Sequence, residues 1–252
     1  MVHKIAPEGW TMIEDVAVLI PAYQPESRLK DLAVALKDSF RRIFVVDDGS
    51  SEGKDVFEAL AELSIPVESH IRNMGKGAAL KTGLKAIMRL WPDIAGVVTA
   101  DADGQHLPKD IVSVAKHLEA DRAAGIERLV LGSRQIGRGA PFKSRFANAW
   151  TRGLFRFMAG YRVSDTQTGL RGIPAGLVAR IAALKGDRYE FETMMLIDAA
   201  SHPSRPVEVP IETVYIDGNR ASHFRPFADT ISTQGALWGA GIKRIFSRRV
   251  PG

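Results

Sequence analysis

The sequence predicts an α/β protein built on a mostly parallel central sheet with helices on both faces, followed by a C-terminal lobe of different character. Three observations carry this. Short, continuously apolar runs recur through the first half, helical apolar patterns stand between them, and polar residues gather where the apolar runs end. A strand that is apolar along its whole length is covered on both faces, and such strands alternating with helices form a parallel sheet.

The elements follow in order. Residues 16–22 (VAVLIPA) read as a buried strand, 29–40 as a helix, and 43–47 (IFVVD) as the second strand. Residues 65–69 form a weaker strand. The segment 78–90 sets Leu80, Leu84, Ile87 and Met88 on one helical face. Residues 94–100 (IAGVVTA) and 128–132 (RLVLG) are two more strands, with a helix over 108–118 between them. In the second half, 142–158 reads as a helix mixing aromatics with Arg and Lys, 164–172 as a polar turn, 174–184 and 189–200 as helices, 206–215 as an edge or mixed strand, and 227–246 as an amphipathic helix.

Composition narrows the chemistry. The 252 residues contain no cysteine, which excludes disulfides, thiolate zinc sites and cysteine nucleophiles. No apolar run reaches the roughly 18 residues that a membrane span needs, and residues 1–10 lack the apolar stretch of a signal peptide. The expectation is a protein that stays on the cytoplasmic side of the membrane. The net charge of +5 is unevenly placed. Arg134, Arg138, Lys143, Arg145, Arg152, Arg156, Arg162 and Arg171 stand in one stretch against a single acid, Asp165, and Lys243, Arg244, Arg248 and Arg249 close the chain. Clustered cations suit phosphates, nucleic acid or an anionic membrane surface, and also occur as plain solvated faces. No nucleic-acid-binding pattern accompanies them, so no nucleic-acid partner is expected.

In open α/β sheets, ligands bind beyond the carboxyl ends of the strands. Here those ends carry Tyr23 and Gln24, Asp47 and Asp48, Asp101 and Asp103, and Ser133 and Arg134. Asp101-Ala102-Asp103-Gly104-Gln105-His106 is the most telling of these. At a strand end the chain turns, Gly104 permits the turn, and two carboxylates with an amide can then approach one hard cation, Mg²⁺ or Mn²⁺, whose shell substrate phosphates complete. A solvated acidic turn is the competing reading. Asp47-Asp48-Gly49-Ser50 suits contacts to a ribose or base and equally suits a turn and helix cap. Asn73-Met74-Gly75-Lys76-Gly77 opens a helix without the Ser or Thr of a Walker loop, and still offers backbone N–H groups and Lys76 to a nucleotide. Neither a dinucleotide-binding glycine pattern, a paired-histidine metal pattern nor a nucleophile elbow occurs.

These pieces carry a resemblance. IPAYQ (20–24), VVDDGS (45–50), NMGKGAAL (73–80), DADGQH (101–106), GSR (132–134), DTQTGLRG (165–172), YEFE (189–192) and VPI (209–211) lie in order over about 190 residues. In that pattern the chain resembles the inverting family-two glycosyltransferases of GT-A fold, and among them the dolichyl- and polyprenyl-phosphate sugar synthases.

The resemblance implies a single glycosyltransferase domain over 1–252, with about 15–134 as the nucleotide-sugar half and about 135–252 as the acceptor side. It implies that Pro21, Tyr23, Val46 and Asp48 contact the nucleoside, that Asp101 and Ala102 lie along the nucleotide, that Asp103 and Gln105, with Asp101, hold the metal, and that Arg134 neutralises phosphate near the reacting sugar. Asp103 and Arg134 are the expected catalytic pair. Two positions depart from the family pattern. The acid expected two residues after Tyr23 is Pro25, with Glu26 next to it, which leaves the choice of base open. The late basic pair is represented by Arg220, His223 and Arg225.

The expected reaction moves a hexose from a nucleotide-diphosphate sugar to a polyprenyl-phosphate lipid. Transfer to a hydroxyl of a saccharide or lipid, with Glu190 or Glu192 as base, is the alternative. A nucleotide-sugar-binding module without turnover is another. The aromatic and basic faces of 142–158 and 227–246 point to peripheral docking on an anionic membrane surface, unless they pack on the core or are covered by a membrane-spanning partner or a second copy of the chain.

Overall fold

The computed structural model describes residues 12–134, 163–166 and 168–212. The predicted helices over 142–158 and 227–246, and the candidate acceptor residues Arg220, His223 and Arg225, lie outside them.

The described elements run β1 (Ile13–Ala22), α1 (Ser27–Lys37), β2 (Phe40–Asp47), α2 (Lys54–Glu62), β3 (Val67–Ser69), α3 (Lys76–Leu90), β4 (Gly96–Thr99), α4 (Pro108–Ala123), β5 (Val130–Arg134), β6 (Arg171–Pro174), α5 (Ala175–Ala182), α6 (Glu190–Ala200) and β7 (Val207–Ile211). The strands form one sheet in the order β3-β2-β1-β4-β6-β5-β7. All neighbouring strands are parallel except β6, which runs antiparallel to both β4 and β5.

Two cores flank the sheet because successive side chains of a strand point to opposite faces. Val16, Val18 and Ile20 of β1 pack with Leu29, Leu32 and Leu36 of α1, Leu60 of α2 and Ile111 and Leu118 of α4. Ala17 and Leu19 pack with Leu80, Leu84 and Ile87 of α3, Ile181 of α5 and Phe191 of α6. The sheet is thus covered on both sides, as the apolar strands require. Leu19 reaches α3 closely: a Cβ on Gly83 would stand 2.9 Å from Leu19 Cδ2.

Three expectations need correction. Helix α1 ends at Lys37, not residue 40, and Phe40 opens β2. Its 2% exposure places it in the core, and an aromatic at the boundary fits both periodicities. Helix α2, absent from the sequence reading, is an amphipathic segment with Val56, Ala59 and Leu60 buried. The segment 164–172, read as a polar turn, is largely buried and runs into a strand. Asp165, Thr166, Thr168 and Arg171 are buried, and residues 171–174 form β6 in the middle of the sheet. There Thr99 Oγ1 donates to the Gly169 carbonyl at 2.8 Å, and Arg171 Nε donates to the Thr168 carbonyl at 3.0 Å. Among the described residues β7 is the edge strand of the sheet, covering 207–211 of the 206–215 that the alternation predicted, with 213–215 outside the described residues.

Candidate active site

The carboxyl ends of β1, β2 and β4 open onto a cleft of about 570 Å³. Its lining comes from the β1 end and following loop (Pro21 to Glu26), Arg28, Asp48, Asn73, Gly75, Lys76, Ala79, the segment Asp101 to Asp103, and Arg188 and Tyr189 ahead of α6. The sequence-predicted residues Pro21, Tyr23, Asp48, Lys76, Asp101, Ala102 and Asp103 therefore share one cavity. Val46 does not. Its side chain has 0% exposure and lies in the core beneath α3, because it is the inward member of the β2 alternation.

Lys76 occupies the floor. Its ammonium lies 2.6 Å from Asp101 Oδ1 and 3.1 Å from Glu192 Oε1, and 5.9 Å from the centre of the Tyr189 ring. Burial opposes its charge, but Asp101 and Glu192 outweigh burial and hold the ammonium above the usual lysine range. Burial likewise works against the Asp101 carboxylate, yet Lys76 above all holds its pKa down at about 2. Asp103 goes the other way. Burial, then the charge of Asp101, raises its carboxyl above the usual range.

The turn after β4 is locally tied. Gly104 has φ 78°, a left-handed conformation that glycine takes readily. Gln105 N–H donates to Asp103 Oδ1 at 3.0 Å, and Asp101 N–H donates to His106 Nδ1 at 3.0 Å. The latter bond fixes His106 as the tautomer with its proton on Nε2, and burial pushes its pKa down. His106 is thus a neutral strut beneath the acidic pair, a role that its place after the turn did not disclose.

No group of three or more His, Asp or Glu side chains among the described residues is arranged to hold a metal by itself. Two neighbouring carboxylates, of which Asp101 is held ionised and raises the carboxyl of Asp103, beside an amide residue nevertheless fit a hard cation, since magnesium is commonly bound through one or two carboxylates together with substrate phosphates.

Asp48 is 3% exposed, and its carboxylate is engaged. It accepts N–H bonds from Met74 (2.9 Å) and Gly75 (2.8 Å) and pairs with His70 Nδ1 at 2.7 Å. Gly75, at φ 103°, has no room for a side chain: a Cβ there would stand 2.8 Å from Arg188 Cγ. The loop bearing Arg188 thereby closes on the start of α3, where Ala78 N–H donates to the Asp187 carbonyl at 2.9 Å. On the other flank, Gln24 ties the β1 loop to the β2 loop through Ser50, Ser51 and Glu52 at 2.8–2.9 Å.

Arg134 ends β5 outside the cleft lining. Its Nε donates to Asp165 Oδ2 at 2.6 Å and its Nη2 to Oδ1 at 3.2 Å, a two-pronged pair with a carboxylate of 0% exposure. Its charge also helps to hold Asp101 ionised. Sequence reasoning assigned Asp165, Glu192, His70 and Gly169 no positioning role. The available signal for Asp165 was a polar run set between the buried Val163 and Leu170.

A mixed sheet with a polar cleft at its carboxyl end, where a half-buried lysine faces an Asp-x-Asp turn, has the layout of a GT-A-like glycosyltransferase. Residues 17–172 match the model for glycosyl transferase family 2, and the chain belongs to that family. Among its relatives, an uncharacterised protein of Methanocaldococcus jannaschii is 34% identical over 210 residues, covering 81% of this chain and 83% of that protein. The UDP-N-acetylglucosamine–dolichyl-phosphate N-acetylglucosaminyltransferase of Methanococcus voltae is 31% identical, covering 82% and 88%. The polyprenol monophosphomannose synthase of Mycolicibacterium smegmatis is 27% identical, covering 77% and 75%. In fold, the chain resembles glucosyl-3-phosphoglycerate synthase from Mycobacterium tuberculosis, solved with Mn²⁺, UDP and phosphoglyceric acid, at a TM-score of 0.68 and 19% identity, covering 98% of this chain and 86% of that one. The protein is a glycosyltransferase. No helix among the described residues is long and apolar enough to cross a membrane.

Proposed function

We propose that this enzyme transfers a hexose, with inversion, from a nucleoside-diphosphate sugar to the phosphate of a polyprenyl-type lipid. The observation that carries the proposal is the cleft in which Lys76, Asp101 and Asp103 meet. In the transfer, the bond from the anomeric carbon to the diphosphate breaks as a bond to an acceptor oxygen forms. The departing nucleoside diphosphate gains negative charge, and a nearby ammonium stabilises it. Asp101, Asp103 and Gln105 would hold Mg²⁺ or Mn²⁺, which supplies further neutralisation of that diphosphate. Complexes of the structural neighbour with either ion, and with UDP, support the assignment.

A lipid phosphate is already anionic and needs cations rather than a base. The two acids proposed as bases for a hydroxyl acceptor have other work. Glu190 Oε1 accepts the N–H groups of Asp187 and Arg188 at 3.1 and 3.2 Å, and Glu192 holds Lys76. This favours the phosphate acceptor over the hydroxyl one, as do the two relatives named for dolichyl phosphate and polyprenol monophosphomannose. On this reading residues 15–134 serve the donor, residues 135–252 with Arg134, Arg220, His223 and Arg225 serve the acceptor, and the enzyme works as a peripheral protein on the cytoplasmic face of a membrane. The test is a panel of UDP- and GDP-sugars incubated with a short polyprenyl phosphate and Mg²⁺ or Mn²⁺, reading lipid-linked sugar. Transfer to neutral saccharides or alcohols but not to the lipid phosphate would select the hydroxyl reading. Binding without transfer or hydrolysis would leave a binding module.

A further inference from the structure

His70 lies at the end of β3, outside the cleft lining, and joins three elements. Its backbone N–H donates to the Asp47 carbonyl at 2.8 Å. Its Nε2 stands 3.0 Å from Thr82 Oγ1 on α3, and its Nδ1 2.7 Å from Asp48 Oδ1 at the end of β2. The side chain is 9% exposed and that of Asp48 4%. In the neutral ring, Nδ1–H donates to Asp48 while Nε2 accepts the Thr82 hydroxyl, so every polar atom of the relay is matched.

The relay continues into the site. Asp48, held from behind by His70, accepts the N–H groups of Met74 and Gly75. These two residues form the turn that starts α3, and the next residue is Lys76. The turn is also fixed from beneath, since a Cβ on Gly49 would stand 2.6 Å from Asn73 N. Displacing Asp48 therefore loosens the turn from which Lys76 reaches Asp101 and Glu192.

We propose that His70 is a positioning residue of the donor site: through Asp48 it sets the Met74–Gly75 turn, and with it the Lys76 ammonium that meets the donor's diphosphate. The functional part rests on the donor reading above. The positional part rests on the hydrogen bonds alone, and the two are tested separately.

The experiment compares His70→Ala, His70→Asn, His70→Gln and Thr82→Val in the full chain. Backbone amide exchange at Met74 and Gly75 is followed by NMR, and affinity for UDP and for GDP with Mg²⁺ by calorimetry. An Asn amide sits near the place of Nδ1 and can still donate to Asp48, whereas a Gln amide sits near Nε2. His70→Ala speeds exchange at both amides and weakens nucleotide binding about tenfold, the scale of a lost hydrogen bond to a charged group. His70→Asn recovers most of the affinity and His70→Gln does not, while Thr82→Val gives a smaller loss of the same kind. A role confined to packing would make Asn and Gln equivalent. Equal affinities for those two variants, or unchanged exchange at Met74 and Gly75 in His70→Ala, would overturn the proposal. If His70→Ala does not fold, the contrast between Asn and Gln decides it. A wild-type chain that binds neither nucleotide would sink the donor reading, and the exchange data would still rule on the relay.

Discussion

Gly169 lies directly against the Asp101 carboxylate: a Cβ on Gly169 would stand 2.6 Å from Asp101 Oδ1 and closer still to Oδ2. The Gly169 carbonyl is itself pinned by Thr99 Oγ1 at 2.8 Å, so the backbone cannot retreat without breaking that bond. The loop before β6 and the turn after β4 thus share one space.

Gly169→Ala is expected to displace the Asp101 carboxylate. A shift of about 1 Å at a reacting site can cost on the order of 100-fold in rate. Steady-state kinetics with circular dichroism will show a large fall in kcat/KM with secondary structure retained. Near-normal activity would mean that the position of Asp101 is unimportant.

Activity is expected to require Mg²⁺ or Mn²⁺ and to disappear in excess chelator, returning when either ion is restored. Asp103→Ala should lose about 100-fold or more in kcat, the usual scale for removing an electrostatic stabiliser. Full turnover in chelator would remove the metal from the mechanism.

Arg134 and Asp165 call for a double substitution. Arg134→Ala leaves a carboxylate of 0% exposure without its two-pronged partner, which should lower both stability and activity. Adding Asp165→Asn removes the buried charge. The double variant should regain most of the lost melting temperature and little of the activity, if Arg134 serves phosphate as well as structure. Recovery of both together would make the pair purely structural.

Arg128→Ala should affect stability alone. Arg128 precedes β5, at the end of that strand away from the cleft, and it makes two 2.8 Å bonds to Asp121, which is 6% exposed. Losing hydrogen bonds to such a charge costs about 2 kcal/mol, or roughly 4–8 °C in a protein of this size. Differential scanning calorimetry measures the shift, and kcat should stay within about twofold of wild type, as expected of a site remote from the reaction.

Flotation with liposomes tests the membrane surface. The chain should bind anionic vesicles at low salt and release as salt screens the attraction. A chain ending before Phe227 should bind less. Absence of binding to anionic vesicles at low salt would refute direct docking.

The legible parts of the fold were those with a one-dimensional signature. β1, β2, β4 and β5 show as apolar runs because both of their faces are covered, and α3 shows through Leu80, Leu84 and Ile87. β6 gave no such sign, since its first residue is Arg171, a buried guanidinium whose Nε and Nη1 donate to the backbone carbonyls of Thr168 and Glu192. In the site, Asp101, Asp103 and Lys76 were readable because strand ends and glycine-rich helix starts mark themselves locally. The pairings were not. Glu192 meets Lys76, Asp165 meets Arg134 and His70 meets Asp48 only after the sheet is assembled.

The antiparallel strand β6 has a consequence for the order of events during synthesis. β3, β2, β1 and β4 can pair among themselves as soon as they emerge, each joined by a nearby helix. β5 then has no place to go: Val130 pairs with Gly172 and Val207, both far later in the chain. Until residues 171–174 arrive, β4 presents an open edge, and open edges invite pairing with other chains. Such long-range closure is slow. Gly172 sits at the seam, where a Cβ would press on Leu118 and Val114 at 3.0 Å. Enlarging it should show first as aggregation of newly made protein, before any defect appears in molecules that have already folded.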